Sequence, residues 1–155
     1  MVIKTRDFGE QDVSEDKIIS FPNGIFAFED EHRFIMLSPL GDDVYPAWLQ
    51  SVDNENLCFI VFDPCQIVSD YSVTADEESL AAAQFGKDSQ PHYLTLAVVP
   101  EDYKDTTVNL KSPILVNSEK MLAAQTIAAE NYPIKFPIFK KAEVPQTEKP
   151  FKEGN

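Results

Sequence analysis

The sequence predicts a mainly β protein: one barrel-like domain of short antiparallel strands with a single minor helix. Apolar and polar residues alternate with a period of two in most patterned segments, as in strands with one buried and one solvated face. Turn signals rich in Pro, Asn, Asp and Gly separate these segments at short intervals. A helical pattern is convincing in only one short segment. A closed barrel and a two-sheet sandwich both satisfy these observations.

Five strands are predicted in the N-terminal half. They span residues 2–8, 17–21, 33–37, 47–52 and 57–62. The turn Pro22-Asn23-Gly24 follows the second strand, because Asn and Gly tolerate the positive φ of tight turns. The last two strands form a hairpin that is closed by the polar residues 53–56.

The C-terminal half begins with the predicted helix, residues 76–85. Its acidic first turn suits the helix dipole, its interior is rich in Leu and Ala, and Gly86 is its expected C-terminal cap. Four strands follow, at residues 93–99, 106–117, 120–129 and 132–139. Pro113 requires a bend or a sheet edge in the second of them, and two prolines confine the last to an edge.

We expect one domain over residues 1–139 and a flexible polar tail over residues 140–155. The 155 residues suffice for one hydrophobic core. The last sixteen are polar and include Pro145 and Pro150, which is typical of a chain terminus without a packed face.

The net charge of −13 limits the classes of partner. Such a field repels phosphate groups, so we expect no direct contact with nucleic acid or with a membrane. It attracts a basic protein, although acidity for solubility alone is the other interpretation. No apolar run reaches the ~18 residues of a membrane span, and no signal peptide follows Met1, which predicts a cytoplasmic location.

The residue types that carry chemistry are few. Cys58 and Cys65 are expected to be buried, reduced thiols, and with His32 and His92 they show no metal-ligand spacing. The five glycines form no phosphate-binding loop. We therefore expect neither a metal nor a cofactor.

One nucleophilic arrangement can be assembled, with Cys65 as nucleophile, His92 as base and Asp63 as orienting group. The acidic residues near Cys65 in the sequence should raise the pKa of its thiol and leave the thiol inert. The sequence therefore predicts no catalytic residue and favours a binding protein. A small β-barrel enzyme or a flavin-type cofactor-binding domain is the alternative, but the basic residues that would bind its phosphate are dispersed along the chain.

Three aromatic residues are candidate interface anchors. Phe26 lies in an apolar segment directly after Gly24, where an exposed ring would suit an interface. Tyr132 and Phe136 lie beside prolines on the predicted edge strand, which could accept a partner segment or a helix. Core packing is the alternative for all three.

Three segments in this order resemble the FliW flagellar assembly factor family. They are IISFPNGIFAFEDEHRF at 18–34, WLQSVDNENLCFIVFDP at 48–64 and TVNLKSPILVN at 107–117. Tyr71, Gln125 and Tyr132 also match family positions. The family usually reads Gly-Ile-Pro-Gly-Phe-Glu in the first segment, where this chain has Phe26 and Ala27 in place of the proline and second glycine.

The resemblance implies a small β-barrel-like protein without enzymatic activity. Family members bind flagellin in the cytoplasm, through its C-terminal helical region, and also bind CsrA, an RNA-binding repressor of flagellin translation. Export of flagellin releases the factor, which then antagonises CsrA.

Two sets of contact residues follow for this chain. The acidic residues expected to face the basic partner are Glu29, Asp30, Glu31, Asp53 and Glu55, and their alternative is solvated surface charge. The apolar anchors expected for the flagellin helix are Phe26, Tyr132 and Phe136.

Overall fold

A computed structural model of the chain describes residues 1–139, so the predicted tail at 140–155 lies outside the described residues. The strands are β1 Val2–Thr5, β2 Gly9–Asp12, β3 Ile19–Ser20, β4 Arg33–Leu37, β5 Ala47–Ser51, β6 Cys58–Phe62, β7 His92–Val98, β8 Thr107–Val108, β9 Ile114–Asn117, β10 Leu122–Gln125 and β11 Phe136–Pro137. The helix is α1, Glu77–Ala82. Three 3-10 turns span Glu15–Lys17, Pro64–Gln66 and Tyr103–Asp105.

Seven strands close into a barrel. Their order is β7-β6-β5-β4-β3-β10-β9, and β9 pairs back to β7 with Tyr93 opposite Leu115. This confirms the predicted barrel-like β fold and excludes the open sandwich. One pairing, β3 with β10 at Ser20 and Leu122, is parallel, whereas antiparallel strands were predicted. A closed ring with an odd number of strands requires a parallel pair, because strand direction cannot alternate all the way round.

Two smaller units adjoin the barrel. Strand β8 pairs with the end of β7, and β11 pairs with β8 at an edge, which together form a sheet extension. Strands β1 and β2 form a separate hairpin, where the sequence predicted one strand and an acidic turn. The chain reverses because Gly9 adopts a φ of +67° and the Thr5 hydroxyl donates to the Gly9 carbonyl at 2.7 Å.

Because apolar and polar residues alternate along the strands, every second side chain is apolar and points into the barrel. The largest fully buried apolar residues are Phe21, Ile25, Phe34, Leu49, Leu94, Leu110, Ile114 and Leu115. Leu49 and Val61 lie in the barrel core, whereas a second cluster under the sheet extension is built on Tyr71, Val108 and Leu110. Burying each such side chain contributes roughly 1.5–3 kcal/mol.

The helix and the strands after β7 follow their predictions in type but are shorter. The Asp76 carboxylate caps α1 by accepting from the Ser79 amide at 2.7 Å, and the helix ends where Gln84 takes a φ of +56°, two residues before the expected Gly86 cap. The segment 106–117 divides into β8 and β9 around the predicted bend at Pro113. The described residues contain no helix that could span a membrane.

Candidate functional site

The loop of residues 24–31, between β3 and β4, presents two phenylalanine rings on a tight turn. The Phe28 amide donates to the Ile25 carbonyl at 2.6 Å, and Ala27 at the third position has a φ of +73°, as in a type II turn. Ile25 is buried, whereas Phe26 and Phe28 are 45% and 40% exposed. The hydrogen-bonded turn and the buried Ile25 thus hold the two exposed rings in fixed positions.

Gln125 on β10 fixes this loop to the barrel. Its side-chain Oε1 accepts from the Phe26 amide at 2.9 Å, and its Nε2 donates to the Ser112 carbonyl at 3.0 Å. A proline at position 26 would have no N–H to donate, so Phe26 introduces a donor that Gln125 satisfies. The Glu29 carboxylate accepts from the Ala27 amide at 2.9 Å and closes the turn from its other side.

Ser51 joins the 24–31 loop to the hairpin between β5 and β6. Its hydroxyl donates to Glu31 Oε1 at 3.1 Å and accepts from the amides of Asp53 and Asn54 at 3.2 and 3.0 Å. The structure therefore brings two groups of predicted acidic residues, 29–31 and 53–55, to adjoining loops.

Asp53 also forms an ion pair with Arg33 on β4. The guanidinium donates through Nη2 at 2.6 Å and Nε at 3.1 Å, and this bonding lowers the pKa of the Asp53 carboxyl. Asp53 thus has a structural partner within the chain, while Asp30 and Glu55 are exposed. The role of these acidic residues in binding a partner stays a prediction.

Gln50 supports the acidic hairpin, the loop of residues 53–56 between β5 and β6, from inside. From the sequence, this residue had no role beyond its place in a motif. Its side chain is fully buried. Its Nε2 lies 3.1–3.3 Å from four carbonyl oxygens, those of Ser51, Asn54, Glu55 and Leu57. Its Oε1 accepts from the Arg6 amide at 3.0 Å, which ties the N-terminal hairpin to the same point.

The structure does not place Tyr132 and Phe136 with Phe26. Both are half-buried and pack on the second hydrophobic cluster. The Tyr132 ring lies 4.7 Å from that of Tyr71, and its hydroxyl accepts from the Ser72 amide at 3.2 Å. Their role as anchors stays a prediction. The exposed Phe28, which stacks edge-on against Phe59 at 5.4 Å, was missed, although the IFAF pattern contains it.

Neither cysteine forms a disulfide, as expected, but only Cys58 is buried. Cys65 is exposed because the 3-10 turn Pro64–Gln66 lies outside the barrel. Residual desolvation and the Asp63 carboxylate raise the pKa of the Cys65 thiol, which disfavours the nucleophilic thiolate. The imidazole Nε2 of His92 lies 3.3 Å from the Tyr45 hydroxyl. Residues 1–139 contain no group of three or more His, Cys, Asp or Glu side chains that could hold a metal ion.

We expect Ala27→Gly to stabilise the protein by about 1 kcal/mol, because the left-handed backbone penalises a Cβ and favours glycine. The urea midpoint should rise. Ala81→Gly in the exposed face of α1 is the matched control and should lower it by a similar amount. A fall in the midpoint for Ala27→Gly would contradict the strained-turn interpretation.

The comparisons with known proteins agree on one family. The model of the family described as "FliW protein" matches residues 2–138. The flagellar assembly factor FliW of Natranaerobius thermophilus is 39% identical over 142 residues, which cover 90% of this chain and 93% of that protein. That of Ruminiclostridium cellulolyticum is 37% identical over 127 residues, 82% of this chain and 86% of the relative.

A solved structure extends the match to three dimensions. The crystal structure of the flagellar assembly factor FliW superposes with a TM-score of 0.82 at 28% identity, and the alignment covers 92% of this chain and 99% of the other. The barrel, the loop that follows β3 and the sequence matches lead to one conclusion: this chain belongs to the FliW family of flagellar assembly factors.

Proposed function

We propose that this protein is a non-enzymatic, cytoplasmic partner switch in flagellar assembly that binds flagellin and antagonises the translational repressor CsrA. The observation that carries the proposal is the 24–31 loop, in which exposed phenylalanine rings stand on a hydrogen-bonded backbone beside acidic side chains. An anchored loop with exposed aromatic residues suits protein recognition, because little conformational entropy is lost when a partner binds.

Flagellin would contact the apolar anchors. Phe26 supplies a ring that is 45% exposed, and Phe28 lies two residues away at 40%. An amphipathic helix such as the C-terminal region of flagellin would place its apolar face over these rings. Tyr132 and Phe136, which are half-buried on the second hydrophobic cluster, would form a separate contact.

CsrA would contact the acidic residues Glu29, Asp30, Glu31, Asp53 and Glu55. A protein with a net charge of −13, bound near a basic RNA-binding surface, raises the electrostatic cost of bringing RNA to it. This repulsion acts over about a Debye length, ~8–10 Å at physiological salt. The protein could therefore antagonise CsrA without covering the RNA-binding surface of CsrA.

A pull-down with flagellin and CsrA, together and separately, tests the proposal. We expect Phe26→Ala to weaken flagellin retention about tenfold, and the double change Asp53→Asn with Glu55→Gln to weaken CsrA retention selectively. Antagonism of CsrA should fall steeply as salt rises.

Two controls accompany the pull-down. Leu40→Ala removes an exposed apolar side chain elsewhere, and Glu77→Gln with Glu78→Gln removes the same charge from the start of α1. Neither should change retention by more than about twofold. If the unaltered protein retains neither flagellin nor CsrA, the proposed function is wrong.

A further inference from the structure

An open groove of about 520 Å³ lies on the outer wall of the barrel, and the function proposed above does not use it. We call it the wall groove. Its lining includes Trp48 and Ile60 from the barrel, Tyr103, Ile138 and Phe139 from the C-terminal segments, and Asp63 at its side. None of the residues assigned above to flagellin or CsrA lines it.

The wall groove is apolar where a barrel wall should be polar. On β5 and β6, Leu49 and Val61 occupy the core, so Trp48 and Ile60 stand on the outer face, directly opposite each other. Solvent-facing strand positions normally carry polar residues. Trp48 and Ile60 are half-buried, and the Trp48 ring packs edge-on against Phe8 at 5.2 Å. The opposite bank is exposed: Tyr103 is 59% and Phe139 42% exposed, and their rings stack edge-on at 5.4 Å.

Of the described residues that line the wall groove, only Asp63 is charged, and its charge is negative. Tyr45 also lines the wall groove. Burial is the main cause that raises the pKa of the Tyr45 hydroxyl to about 12, and the nearby carboxylates of Asp63 and Asp43 raise it further. Glu101 and Asp102 directly precede Tyr103 in the chain, and Lys104 follows it. An apolar floor with an acidic rim is complementary to an apolar side chain flanked by basic ones.

We propose that the wall groove is a docking site for a basic segment of a partner protein. The segment inserts an aromatic or aliphatic side chain between Trp48 and Tyr103, and its Lys or Arg side chains face Asp63 and Glu101. This site is separate from the 24–31 loop. It rests on the proposed function only in that a partner-binding protein needs such surfaces.

Trp48 is the single tryptophan of the chain, so its emission reports directly on the wall groove. The full chain is titrated with the hexapeptide Lys-Lys-Phe-Leu-Lys-Lys, blocked at both ends, and with its Glu-Glu-Phe-Leu-Glu-Glu counterpart. We expect a saturable blue shift with the basic peptide and at least tenfold weaker binding of the acidic one. Added salt should weaken the basic peptide's binding.

Variants locate the binding. Tyr103→Ala should weaken the basic peptide about tenfold, because the exposed ring can be removed without opening the core. Leu40→Ala and Phe26→Ala, which alter exposed side chains elsewhere, should change it by less than about twofold. These peptides involve neither flagellin nor CsrA, so their binding can fail while the pull-down succeeds, and the reverse.

Five results would overturn the proposal. The first four are no saturable change with the basic peptide at millimolar concentration, equal binding of the acidic peptide, unchanged binding by Tyr103→Ala, and a Trp48 emission that depends on protein concentration and so reports a second copy. A shift of Trp48 emission in Phe151→Ala without peptide would also overturn it, since the chain's own C-terminal residues would then be the occupant.

Discussion

Gln50→Leu is expected to lower the free energy of unfolding by about 3 kcal/mol. Leucine has nearly the same volume but cannot bond the Arg6 amide or the four carbonyl oxygens that now surround Gln50 Nε2. Each buried polar group left without a partner costs ~1–3 kcal/mol, which exceeds what the added apolar contact returns.

Thermal unfolding and urea titration measure this loss. For a domain of this size it corresponds to a fall of roughly 10 °C in the melting temperature. Gln66→Leu is the matched control, because Gln66 is exposed and its Nε2 makes a single bond to the Asp43 carbonyl at 3.3 Å. Equal losses in the two variants would show that the amide network under the hairpin contributes little.

The same variant connects stability to binding. Gln50 holds the carbonyls of Asn54 and Glu55, so its loss releases the acidic hairpin that is proposed to face CsrA. We therefore expect weaker retention of CsrA by Gln50→Leu even at temperatures where the barrel stays folded. Flagellin retention through Phe26 should change less.

Strand positions could be predicted because each depends on a local pattern. Residues 33–37, 47–52 and 57–62 were predicted within a residue of their observed bounds, since alternation within one segment decides burial. The closure of the barrel and its parallel pair were not predictable in this way. They depend on which strands meet, and that is decided by the packing of the whole chain.

The candidate site was predicted less completely, for a similar reason. The acidic residues and Phe26 stand out in the sequence, but the Ser51 bridge and the Arg33–Asp53 ion pair join residues twenty positions apart. Trp48 lies on the outer face of the barrel, although aromatic residues in strands are usually buried in the core. Its phase relative to Leu49 was the available signal that it lies on the outer face.

Gly24→Ala is expected to cost roughly 3 kcal/mol and to distort the 24–31 loop. A Cβ at this position would lie 2.6 Å from the Cα and the carbonyl oxygen of Glu29, and backbone atoms cannot rotate aside as a flexible side chain can. The φ of +70° adds ~1 kcal/mol of conformational strain for any residue with a Cβ. Overpacking of this kind costs ~1–3 kcal/mol more.

Gly9→Ala separates the two causes. Gly9 has nearly the same φ, +67°, but a Cβ there would meet no atom within 4 Å, so only the conformational cost of about 1 kcal/mol applies. Urea unfolding of both variants should give a difference near 2 kcal/mol, which measures the contact with Glu29. Because that contact positions Phe26 and Phe28, Gly24→Ala should also weaken flagellin retention, and Gly9→Ala should leave it unchanged. Equal unfolding free energies for Gly24→Ala and Gly9→Ala would mean that the 24–31 loop moves aside without cost. The loop would then not be rigidly held.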